Sequence, residues 1–91
     1  MGVRWTTSAN RDLVRLHAFL QPVDLRAASR AVKSILSGIK HMGRHPRIGV
    51  RMPEFAPREV RKLIVGDYEI RYEVRDALLV VLRIWHVHED R

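Results

Sequence analysis

Leu25, Ala28, Val32, Ile35, Ile39 and Met42 step through the chain by three and four without a break. That spacing places six apolar side chains on one side of a helix about five turns long, which must bury that side against something else. Asp24 stands where an N-cap is needed and Gly43 where a helix can end. The opposite side carries Arg26, Arg30, Lys33 and Lys40 and reads as a solvated face. A shorter helix precedes it, with Thr7 or Ser8 as its cap and Ala9, Leu13, Leu16 and Leu20 at helical spacing, stopped by Pro22. Val3-Arg4-Trp5 before that helix is a short β-prone start.

Past the loop "GRHPRIGVRMPEFAP" (43–57) the period changes from helix to strand. "EVRKLIV" (59–65), "YEIRYEV" (68–74) and "ALLVVLRIWHV" (77–87) are separated by the tight turns Gly66-Asp67 and Arg75-Asp76. The order is β-α-α-β-β-β, an α+β chain with a helical hairpin packed on one face of a small antiparallel sheet. At 91 residues it is one domain, 1–91, near the lower limit for a self-sufficient core. Without cysteine it has neither a disulfide framework nor a thiolate zinc site. "MGVRWTTSANRD" lacks the apolar run of a signal peptide, and no stretch has membrane-spanning length, so a cytoplasmic protein with no membrane partner is expected.

Alternation assigns faces to the strands. Tyr68, Ile70, Tyr72 and Val74 share the side that packs on the hairpin, and Glu69, Arg71 and Glu73 share the other. In the last strand Leu78, Val80, Leu82 and Ile84 make the better core set, leaving Leu79, Val81, Arg83 and Trp85 beside Arg71. An open face carrying Leu79, Val81 and Trp85 is too apolar for water and reads as a docking surface for another chain. Of Arg61 and Lys62, alternation allows only one on that face. Arg61 is expected to pair with Glu54, Glu59 or Asp76, and Lys62 joins the contact surface.

The formal charge of +7 lies mostly in the first half. Residues 1–45 hold eight Lys/Arg against two Asp/Glu, and residues 46–91 hold nine against eight. Such a field draws nucleic acid or an acidic protein.

"HPRIG", "EVRKLIVGDYEIRYEV" and "VLRIWHVHED", in that order after "SANRDL", resemble the RelE/ParE superfamily, the toxin halves of bacterial type II toxin–antitoxin pairs. The resemblance covers nearly the whole chain. It implies a cognate antitoxin that wraps the toxin to form a hetero-oligomer, and one of two targets. ParE-like members poison DNA gyrase by protein–protein contact. RelE-like members cut ribosome-bound mRNA without metal, using basic residues on the sheet and a C-terminal Tyr or His.

RNA cleavage needs an acid–base group and cations for the phosphate. Where ribonuclease members carry an Arg after the Tyr that opens the middle strand, this chain has Glu69. Arg71 would have to hold phosphate and His86 serve as acid or base. That charge reversal favours the ParE-like branch, with no catalysis and no cofactor. A degenerate module that only binds its partner is the remaining alternative. His86 and His88 point the same way in a strand, but Glu89 and Asp90 cannot both join them, so no metal site is expected. Trp85 is either packing for Arg71 or Arg83 or an antitoxin anchor. His88 and Arg91 complete the expected contact set, while His17, His41 and His45 read as ordinary surface or capping residues.

Overall fold

The computed structural model describes residues 1–89. Its elements run β1 (Gly2–Trp5), α1 (Thr7–Leu20), α2 (Leu25–Arg44), β2 (Val50–Arg51), a single 3-10 turn (Pro53–Phe55), β3 (Glu59–Val65), β4 (Tyr68–Arg75) and β5 (Leu78–His86). The sheet order is β1-β5-β4-β3-β2. The helical hairpin and the three-strand meander stand where the sequence places them. The sheet is mixed, because β1 pairs parallel to β5, and β2 is a two-residue strand inside the expected loop.

Thr6, one residue before the expected cap, begins α1. Its hydroxyl accepts the Ala9 N–H at 3.0 Å and donates to the Leu82 carbonyl at 2.8 Å. Asp24 caps α2 by accepting the Arg26 N–H at 2.9 Å. Ala28, Ile35, Ile39 and Met42 of the apolar stripe are buried as expected, whereas Leu25 is exposed at the helix entrance and Val32 is half-buried. Ile35, Ile39 and Met42 meet Ile70, Tyr72, Val74, Leu79, Val81 and Ile84 in one core.

Leu79 and Val81 are therefore not on the open face, and their expected role in docking is corrected. Arg71 lies opposite Arg83 but Tyr72 lies opposite Val81, so Leu82 is an extra residue in β5. Such a bulge reverses the facing of everything on one side of it. Leu79 and Val81 point to the helices before the bulge, and Ile84 does after it; all three are fully buried. Both parities of β5 are apolar there, so alternation alone holds no sign of the slip.

Tyr72 fixes the connection from α2 to the sheet. Its hydroxyl donates to the Pro46 carbonyl and accepts the Gly49 N–H, each at 2.8 Å. Glycine is required at 49 because a Cβ would stand 2.6 Å from that hydroxyl and 2.7 Å from the Lys62 carbonyl. Burial pushes the Tyr72 phenol above its ordinary pKa.

Candidate functional site: the open sheet face and the α1 groove

Cross-strand pairing puts Lys62, Arg71 and Arg83 in one row across β3, β4 and β5. Like charges directly opposite one another are destabilising unless something offsets them. Here aromatic rings and carboxylates do. The Arg71 guanidinium lies 4.6 Å from the Trp85 ring centre and 5.6 Å from that of Phe55, and Nη2 donates to Glu69 at 3.3 Å. Arg83 lies 4.9 Å from the same Trp85 ring and donates from Nε to Asp12 at 2.7 Å. Trp85 is thus only 7% exposed. The guanidinium groups of Arg71 and Arg83 pack on its ring, as the packing reading expects.

Glu69, which stands where the ribonuclease resemblance calls for an Arg, is buried. Further along β4, Glu73 takes the guanidinium of Arg58 at 2.9 Å and that of Arg75 at 2.8 Å. Those hydrogen bonds, Arg58 foremost, hold its carboxyl below the usual range against the opposing effect of burial. Arg61 turns to the other side, bonding Glu59 at 2.8 Å and the Gly49 carbonyl at 2.8 Å, so Lys62 is the one of the pair on the open face.

His86 does not join Arg71. It pairs with Tyr68, on the side of the sheet that faces the helices, while Arg71 pairs with Arg83 on the open side. The His86 ring meets Tyr68 edge-on at 5.5 Å, and its Nδ1 accepts the His88 N–H at 3.1 Å. Burial and then the Asp67 charge raise the Tyr68 pKa. Among the described residues no three His, Asp or Glu side chains come together as a metal site would require. His88 is exposed beside His86. Arg91 lies outside the described residues.

Between α1 and the end of β5 runs a groove of about 850 Å³, with Leu16, Phe19, Leu20, Tyr68 and His86 in its lining together with Arg83 and Trp85. Phe19 is 76% exposed, and beyond it Val23 and Leu25 are also open. Arg15 and Glu89, an ion pair, close one rim. Sequence reading passed over this side. Phe19 lies off the apolar stripe of α1, and an aromatic residue outside a core stripe is the signal that could have marked it.

Asp12 was likewise missed. Its spacing puts it beside Ala9 and Leu16 on the inner face of α1, an unusual place for a carboxylate. It accepts the Ile84 N–H at 2.8 Å and bonds Arg83 and Arg15, so it anchors the strand end that carries Arg83, Trp85 and His86. Burial alone would raise its pKa; the bonds from Arg83, Ile84 and Arg15 outweigh that, and the net direction is down.

Over residues 3–91 the chain matches the family described as ParE toxin of type II toxin-antitoxin system, parDE. A solved structure described as the chromosomal ParDE TA system from P. aeruginosa superposes with a TM-score of 0.81 at 24% identity, covering 97% of each chain. Comparison with curated proteins gives no match. No helix among the described residues is long and apolar enough to cross a membrane. A fold shared over nearly its full length and a family match from the first strand to the last residue lead to one conclusion: this chain belongs to the ParE toxin family of type II toxin–antitoxin systems.

Proposed function

We propose that this chain is a toxin neutralised by a cognate antitoxin and that it acts on DNA gyrase by protein–protein contact, in the cytoplasm, without chemistry of its own. The observation that carries the second part is the placement of Arg71 and His86 on opposite sides of the sheet. A nuclease needs its acid–base group and its phosphate-binding cation around one scissile bond. With Glu69 bonded to Arg71 on the open side and His86 turned to the groove, Arg71 and His86 do not come together among the described residues. Arg15 and Arg83, the cations that line the groove with His86, are engaged by Asp12 and Glu89.

The antitoxin is expected on the hairpin side, where Phe19 and the groove offer apolar anchors beside Arg15. An amphipathic helix laid in such a groove buries its apolar face and needs no edge strand. The open sheet face, covered by guanidinium groups, is left for the target.

The test is a supercoiling assay with purified gyrase, run beside cleavage of ribosome-bound mRNA. Inhibited supercoiling with intact mRNA is the expected result. Cut mRNA with supercoiling untouched would mean the ribonuclease reading, and inactivity in both would leave a partner-binding module.

A further inference from the structure

The basic face of α2 is more ordered than a solvated surface needs to be. Arg26, Arg30, Lys33, Ser37, Lys40 and Arg44 follow one another at steps of four, three, four, three and four. At 100° per residue they fall within an arc of about 80°, directly opposite the buried Ala28, Ile35, Ile39 and Met42. All six are exposed, and the row extends about 27 Å along the helix. Residues 25–44 contain no Asp or Glu. Among the described residues the row has a single ion pair, Arg30 with the cap Asp24 at 4.0 Å.

We propose that this row binds the phosphate backbone of duplex DNA, independently of sequence. Charge complementarity selects the class of partner. Arg, Lys and Ser are the side chains that contact phosphate, and the row holds nothing else. A protein interface has an apolar centre and is poor in Lys, and no apolar residue interrupts this row. Single strands are gripped by stacking their bases on aromatic rings, and α2 has no Phe, Tyr or Trp. A helix of this diameter also fits beside the phosphates of the wide B-form major groove, whereas the major groove of A-form RNA is narrow. This inference stands apart from the gyrase reading, since it concerns DNA directly and its test contains no gyrase.

The experiment is fluorescence anisotropy of the full chain with a labelled mixed-sequence duplex of about 20 base pairs across a salt series. Neutralisation of phosphates by five cations predicts that affinity falls about 500-fold between about 50 and about 200 mM salt. Lys33→Gln/Lys40→Gln leaves three, and the fall shrinks to about 40-fold. Arg26→Gln/Arg44→Gln is expected to behave alike and serves if the first variant folds poorly. Arg4→Gln/Arg51→Gln changes net charge equally but lies on the sheet, and should keep the full salt dependence. No binding by the unaltered chain at the lower salt overturns the proposal. So does unchanged salt dependence in both row variants, an equal loss in the sheet variant, or tighter binding to polyglutamate or single-stranded RNA than to duplex.

Discussion

Asp12 on α1 accepts the backbone N–H of Ile84 at 2.8 Å, at a point where β1 no longer reaches β5. The last residue of β1, Trp5, pairs with Val81, so the rest of β5 has one edge without a strand. The helix supplies what the strand does not. Thr6 donates to the carbonyls of Val81 and Leu82, and Arg15 donates to that of Ile84. A buried backbone group left unpaired costs about as much as a lost hydrogen bond, so the Thr6 backbone N–H and the side chains of Thr6, Asp12 and Arg15 stand in for a ladder. They also set the strand end that carries Arg83, Trp85 and His86.

Asp12→Ala should therefore destabilise the fold by about 3 kcal/mol, since it orphans a buried N–H and frees two guanidinium groups. The half-exposed Arg15 and Arg83 recover water, which keeps the cost from rising further. Asp12→Asn retains an acceptor for Ile84 and should lose about half as much. Urea midpoints at constant slope give the comparison. Equal losses in the two variants would show that the Ile84 bond contributes nothing.

Acid should weaken the fold through the same carboxylates. Asp12 and Glu73 are both held below their ordinary values of 3.8 and 4.5 in the folded chain. Each then contributes stability that is complete above its unfolded value and drains away as pH falls through the lower folded one. Stability should be flat from neutral pH to about pH 5 and decline below about pH 4.5. The double variant Asp12→Asn/Glu73→Gln should be weaker at neutral pH with a shallower acid decline. A decline parallel to that of the unaltered chain would assign the acid sensitivity to other groups.

Much of this arrangement was legible because periodicity is set by burial on one face. The α2 stripe, the turns at Gly66-Asp67 and Arg75-Asp76 and the facing of β4 all follow from it. The facing of β5 did not, because Leu78 to Leu82 are apolar at every position and a bulge shifts pairing without changing composition. Contacts that span the chain were also out of reach. Asp12 with Arg83 joins residues 71 apart, and only the misplaced polarity of Asp12 on its helix hinted at a partner.

Gly49→Ala should cost about 2 kcal/mol or more, because the new methyl enters the space of the Tyr72 hydroxyl and the Lys62 carbonyl. Tyr72→Phe removes that hydroxyl together with its bonds to Pro46 and Gly49, at about 1–2 kcal/mol. In the double variant the clash is partly relieved, so its loss should be smaller than the sum of the two single losses. Strict additivity in thermal unfolding would place the strain of the alanine elsewhere.

Trp85→Ala should act first on stability, by about 3 kcal/mol, since the ring is buried between the guanidinium groups of Arg71 and Arg83. Trp85→Phe keeps an aromatic face for both and should recover most of the loss. Chemical denaturation distinguishes this from a surface anchor, whose truncation would leave the midpoint unchanged.

Phe19→Ser is the counterpart on the groove side. With the ring 76% exposed, the free chain loses little packing, and its unfolding midpoint should hold within about 0.5 kcal/mol. If the ring anchors the antitoxin, affinity for the co-expressed partner should fall by about 2 kcal/mol, roughly thirtyfold. Surface titration of the purified pair measures the second quantity, and differential scanning the first. Lys62→Gln, on the open face and away from the groove, should leave antitoxin affinity near its starting value while weakening action on the target. Unaltered binding by Phe19→Ser together with a large loss in Lys62→Gln would move the antitoxin to the open face and reverse the assignment of the two surfaces.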